Sequence, residues 1–251
     1  MTNTSVLIKT LFKEKNTTVH KIIGLHVLTL LITLIAMILE NEFNSINFAN
    51  LSLVYGGIGA STLFIRFALR IEKMWTSNTY RLIPVSESRL YAANFLSAVA
   101  SFVYFLILEV IIIGVSSIKP LSTVKLPTHI LLGYFVCGLI FMIMLVLTGW
   151  TFNCLAHLIE NTISNFLPDK WQGLLQSLLY VATFILLLII LSVLNNPIGT
   201  IINKLFSPLY SASTPLNIIF TLLMTSVFML LWTVVLTIPN LYLLKHWVET
   251  E

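Results

Sequence analysis

Charge is what this sequence has least of. Only 10% of its 251 residues are Asp, Glu, Lys or Arg, against roughly 25% in an ordinary soluble domain. Hydrophobic residues make up 57%. A chain with so few charges cannot cover a water-facing surface, and the composition points to an integral membrane protein. Its basic residues sit in short segments between apolar runs, which excludes the clustered basic face of a nucleic-acid binder. Cysteine is nearly absent too. Cys137 and Cys154 fall on one apolar run, about 25 Å apart if that run is helical. They cannot bridge each other within the chain and read as small buried hydrophobes.

Catalytic signatures are also missing. There is no G-x-x-x-x-G-K-[ST] phosphate loop, so no ATP hydrolysis by that route, and no H-E-x-x-H, C-x-x-C or G-x-S-x-G. The five histidines, His20, His26, His129, His157 and His246, are scattered along the chain. Nothing assembles the nucleophile and base, or the carboxylate pair, that an intramembrane hydrolase needs. The chain is expected to be non-catalytic, with no metal and no cofactor of its own.

What is present is six apolar runs, at about 22–39, 51–69, 90–116, 130–155, 174–194 and 216–244. Each is long enough to cross a hydrocarbon core of ~30 Å as a helix. Transmembrane strands would be shorter and would alternate apolar with polar residues. The expected fold is an all-α integral membrane protein, with residues 1–251 forming a single transmembrane domain. No small-residue cleavage site follows the first run, so it is read as a retained helix. Thr4–Thr18 reads as an amphipathic helix lying on the membrane surface, its lysines toward anionic headgroups. Asn195–Pro215 is half apolar and reads as an outer loop or a short re-entrant hairpin.

Lys and Arg set the direction. With the N-terminus inside, the inner segments hold 11 of the 14 basic residues and the outer loops hold Lys119, Lys125 and Lys204. Both termini are therefore expected in the cytosol, with the protein in the cell membrane.

Ionisable residues inside spans are candidate functional groups. Glu109 is placed in the outer part of span three, as a carboxylate on a substrate path or one paired with a neighbouring helix. His26 is placed in the inner part of span one, and Arg66 and Arg70 at the inner end of span two. Small residues recur at i, i+4: Gly56 with Ala60, Gly57 with Ser61, and Ala93 with Ser97 and Ser101. Such faces let helix backbones approach closely, and spans two and three are expected to pack through them.

Between spans two and three lies "RIEKMWTSNTYRLIPVSESRLY" (residues 70–91). Its apolar spacing suggests a short helix that Pro84 stops. Trp75 and Tyr80 suit interfacial anchoring, and Ser86 or Ser88 a cap for the next helix.

The six-span order, the N-terminal surface helix and this loop together resemble the membrane subunit of a type-2 ABC exporter. That family's local pattern is an acidic-basic start, Gly-Thr, leucines, then Pro-[Ile/Val]-Ser. Here it is matched by Glu72-Lys73, Thr76, Leu82-Ile83 and Pro84-Val85-Ser86, with Trp75 where the glycine is usual. The resemblance implies that the segment is a cytosolic coupling helix, docking a separate ATP-binding subunit through Glu72, Trp75, Thr76, Tyr80, Arg81, Leu82 and Pro84. It implies a second permease chain as partner, with ATP and magnesium bound only by the ATPase subunit. The implied substrate is peptide- or bacteriocin-like, drug-like or lipid-linked. The alternatives are an ATP-independent transporter or channel, and an intramembrane enzyme.

Overall fold

The computed structural model describes residues 4–76, 85–121, 127–164, 172–210 and 214–246. Over these the chain is almost wholly helical, without strands: α1 (Thr4–Leu39), α2 (Ser45–Thr76), α3 (Glu87–Ser116), a single turn α4 (Ile118–Leu121), α5 (Thr128–Ser164), α6 (Gln172–Tyr210) and α7 (Thr214–His246). All except α4 are long and apolar enough to cross a membrane. The protein is an all-α, six-span membrane protein.

The helices are longer than the apolar runs. At 1.5 Å per residue, the 36 residues of α1 extend about 54 Å, well beyond a hydrocarbon core of ~30 Å. The N-terminal stretch is helical as its pattern indicates, but it continues into the first span without a break. α2 likewise runs unbroken to Thr76, so Arg70–Thr76 extends the span and forms no separate helix. α5 continues to Ser164, beyond its apolar run, which ends at about residue 155. The expected outer loop or hairpin from Asn195 is corrected to helix as far as Tyr210. Helical backbone passes through Pro197. The indole Nε1 of Trp232 on α7 donates to Asn195 Oδ1 at 2.9 Å and fastens that stretch to its neighbour.

The chain divides into two compact units. Residues 1–71 and 82–127 form one, and residues 72–81 and 128–251 the other. Helix α2 thus gives its first 27 residues to one unit and its last turn to the other.

In the first unit the principal packing is α1 on α3. The buried stripe of α1 is Leu11, Lys15, Val19, His26 and Leu30, at the three-to-four-residue spacing of one helix face. It meets Asn94, Ser97 and Glu109 of α3, and Ala93, Ala98, Ser101, Phe102 and Phe105 of that helix are buried too. Partner numbers rise together along the two helices, from Lys15 with Asn94 to His26 with Glu109, so α1 and α3 run parallel. The opposite faces carry exposed leucines and isoleucines such as Leu28, Ile32 and Ile35, the surface that acyl chains cover in a bilayer.

In the second unit α5 packs on α7 and α6. Phe152, Leu155 and Leu236 make the centre, with Phe184, Leu187, Leu191, Trp232 and Leu243 around them. α5 and α7 are also parallel. Thr148 Oγ1 meets Thr233 Oγ1 at 2.9 Å, and Asn240 Nδ2 donates to Thr151 O at 2.9 Å.

Candidate functional site

Among the described residues, polar clusters that include a His, Lys or Glu lie at three places in these apolar bundles. The first is an imidazole–carboxylate pair in the first unit. His26 Nδ1 lies 3.0 Å from Glu109 Oε1 and 2.9 Å from Oε2. Both side chains are excluded from solvent, at 2% and 5% exposure, which separates them from surface charges. α2 closes the pair on a third side. A β-carbon at Gly56 would stand 2.9 Å from Glu109 Oε2, and one at Gly59 would stand 3.6 Å from Oε1. The Tyr55 ring meets the His26 ring edge-on at 6.3 Å, and its hydroxyl reaches Thr33 Oγ1 at 3.1 Å. His26 Nε2 is buried with no hydrogen-bond partner among the described residues.

Glu109 and His26 therefore share one depth. The sequence placement, outer for Glu109 and inner for His26, is corrected. The cause is that α1 begins at Thr4, far ahead of its apolar run at about residue 22, while α3 begins at Glu87, close to the start of its own, so distance from a hydropathy boundary misjudges the depth of His26. Glu109 has the helix partner that was one of its two sequence readings.

The second place is Lys15, about three turns before His26 on the same face of α1. Its Nζ donates to Asn94 Oδ1 at 2.7 Å, to Ser97 Oγ at 2.6 Å and to the Asn94 carbonyl at 2.9 Å. An ammonium has three protons to donate, and here three acceptors take them. Lys15 is 3% exposed, so its expected place among headgroup lysines is corrected. Lys9, Lys13 and Lys21 are exposed. One signal in the sequence could have found Lys15: it lies on the stripe of Leu11, Val19 and Leu30, whereas the other three lysines do not.

The third place is at the end of α2, within the second unit. Asn153 Nδ2 donates to Glu72 Oε1 at 2.5 Å, and the Tyr180 hydroxyl donates to Asn153 Oδ1. One turn further along α5, His157 Nδ1 lies 3.1 Å from Glu160 Oε2. A single amide thus joins α2 to α5 and α6. Sequence reasoning singled out Glu72 but missed Asn153 and Tyr180. The polar asparagine in the apolar run "WTFNCLAHL" (residues 150–158) was the available signal.

The small residues divide. Gly56, Ala93 and Ser97 are buried, and Gly56 touches Glu109. Gly57 has nothing among the described residues within 4 Å of a would-be β-carbon, Ser61 is exposed and Ala60 is half-buried. The close-packed face of α2 is Gly56 with Gly59, and Ser97 packs on α1 through Lys15. Trp75 and Thr76 are helical residues at the end of α2, while Tyr80, Arg81, Leu82 and Pro84 lie outside the described residues. Ser86 is the N-cap of α3 by backbone geometry, its carbonyl accepting from Arg89 N and Leu90 N at 3.0 Å. Arg66 is exposed, and Arg70 Nη2 lies 3.7 Å from Glu14 Oε1.

Among the described residues no three His, Cys, Asp or Glu side chains converge as a metal site would require. Both cysteines are free and buried. The chain matches no protein-family model, no curated protein and no solved structure.

Proposed function

We propose that the chain is the membrane subunit of an ATP-driven exporter resembling the type-2 ABC kind, with ATP bound and hydrolysed by a separate cytosolic subunit. The observation that supports this is the form of α2. It stays helical to Thr76, and Glu72 in its last turn is held through Asn153 to Tyr180. A helix moves as a rigid rod. Force applied to the Trp75–Pro84 segment by a docked ATPase would reach the body of α2 and, through Glu72, helices α5 and α6. Closure of the ATPase pair on ATP then biases a two-state bundle, and a second copy or a related permease chain completes the path for a peptide-like, drug-like or lipid-linked cargo. Both termini are cytosolic in this reading, and the bundle resides in the cell membrane.

The test is co-purification with an ATP-binding subunit encoded beside it, followed by ATP hydrolysis and transport in vesicles. Aromatic anchors commonly contribute about 2 kcal/mol or more to an interface, or ~30-fold in affinity. Trp75→Ala with Tyr80→Ala should therefore release the ATPase and stop transport while the chain still inserts. ATP hydrolysis by the purified chain alone, or undiminished ATPase binding by the double variant, would refute the proposal.

A second reading rests on the His26–Glu109 pair. A buried imidazole beside a buried carboxylate can hold a proton at Nδ1 or at Oε, and intramembrane pairs of this kind mark proton relays. It favours a transporter driven by a proton gradient without ATP. Transport in vesicles that requires an imposed pH difference and ignores ATP would select this reading over the first.

A further inference from the structure

At the Leu39 end of the first unit a groove of about 550 Å³ opens between α1, the start of α2 and the end of α3. Val27 and Leu34 of α1, Phe48 of α2, and Ile111 and Val115 of α3 make its walls. Its polar lining residues are Ser45, Ser116 and Lys119. They are not scattered. Ser45 is the first residue of α2, Ser116 the last of α3, and Lys119 lies on the single turn α4 that follows. All three stand at the rim. Val27 lies twelve residues before the end of α1, about 18 Å below that rim along the helix. The groove is thus apolar in its depth and polar and cationic only at its mouth.

We propose that this groove is a phospholipid site. One acyl chain lies along α1 and α3 toward Val27. The phosphate sits at the mouth, against the Lys119 ammonium, with the hydroxyl of Ser45 as a further donor; the Ser116 hydroxyl, which donates to the Ile113 carbonyl at 2.9 Å, adds only to the polarity of the rim. The chemistry at each level selects this occupant. A peptide strand would bring backbone amides into walls that offer them no partner, at a cost of several kcal/mol per group. A hydrocarbon chain loses nothing there. A phosphate diester meets a cation and the Ser45 hydroxyl at the level where headgroups lie. The site is separate from the His26–Glu109 pair and from the Glu72 network, and it requires neither reading of the transport mechanism. It makes the structure of this end of the first unit dependent on lipid.

The experiment uses the full-length chain in nanodiscs of phosphatidylcholine containing a minor fraction of phosphatidylglycerol with a photoactivatable acyl chain. After irradiation, digestion and mass spectrometry should place cross-links on α1 between Val27 and Leu34 and on α3 between Ile111 and Val115. Leu31→Trp fills the groove from a largely lipid-facing position and should reduce those cross-links at least five-fold. Lys119→Glu should reduce them several-fold for phosphatidylglycerol, and Lys119→Arg should restore them. Unchanged helical circular dichroism identifies variants that remain folded. Cross-links spread evenly over all lipid-facing helices, or equal labelling of Leu31→Trp and the parent, would overturn the site. Insensitivity to Lys119→Glu would overturn its phosphate mouth. Displacement of the probe by a soluble peptide at lower concentration than by phospholipid would assign the groove to cargo, against the proposal.

Discussion

Lys15, His26, Asn94 and Glu109 occupy positions that an apolar residue would fill in a plainer bundle. Each is held by partners on the facing helix, because an unpaired polar group at that depth costs more than its hydrogen bonds return. For His26 and Glu109 the consequence is measurable. Removing one partner of a buried pair strands the other and costs about 3–5 kcal/mol, whereas replacing both with apolar residues of similar size is often neutral. Glu109→Leu should therefore lower thermal stability in detergent more than the double change with His26→Leu. If the double variant is the least stable of the set, the two residues are not energetically paired. Transport adds a second readout: a double variant that is stable but inactive assigns the pair a role in function. The adjacent glycines predict a contrast. Gly56→Ala drives a methyl to 2.9 Å from Glu109 Oε2 and should destabilise by about 1–3 kcal/mol, as overpacking does. Gly57→Ala meets open space and should be neutral or slightly stabilising, as Ala is the better helix former. Equal melting temperatures for the two variants would contradict the packing of α2 on α3.

Among the elements, the six spans were legible because a long apolar stretch needs no tertiary information to be recognised. Their continuations were not. Thr4–Thr18 and Arg70–Thr76 have helical spacing, but spacing alone does not say whether such a segment bends onto the surface or prolongs the span. Lys15 ties the prolonged start of α1 to α3, and Glu72 ties the end of α2 to Asn153. Both contacts join residues some eighty positions apart, which one sequence does not reveal. Asn195–Pro215 likewise reads as an outer loop or hairpin, yet α6 continues through Pro197 to Tyr210, beside the bond from Trp232 to Asn195. By contrast, the end of α1 is written locally. Asn41 has φ 55°, Asn41 N donates to Ile38 O at 3.2 Å and Glu42 N donates to Met37 O at 3.0 Å. This is the Schellman pattern of helix termination. Asparagine tolerates that left-handed backbone, glycine adopts it freely, and a β-branched residue strains it. Asn41→Gly should leave the melting temperature unchanged or raised, and Asn41→Val should lower stability by about 1–2 kcal/mol. A valine variant as stable as the parent would mean that α1 ends by some other means.

For the whole molecule, the membrane class, the six spans and the helical fold were all readable from composition and hydropathy, while the division into two units was not. Each unit joins its first and third spans in parallel through polar contacts, Lys15 and His26 in one and Thr148 and Asn240 in the other. Those contacts depend on helix faces that hydropathy averages away. Direction in the membrane rests on a separate and older-fashioned argument, the 11-to-3 division of Lys and Arg. Positive charge is retained on the cytosolic side during insertion. In the orientation proposed above, helix order puts the α1–α2 turn outside and the start of α3 inside. Both places offer exposed positions, Glu42 and Ser86, at which single cysteines can be introduced after Cys137 and Cys154 are replaced by alanine. On intact cells a membrane-impermeant maleimide should label Glu42→Cys and leave Ser86→Cys unlabelled until the cells are opened. The reverse pattern would put both termini outside. It would also remove the Trp75–Pro84 segment from any cytosolic ATPase and end the exporter proposal with it, while leaving the fold, the His26–Glu109 pair and the lipid groove as they are.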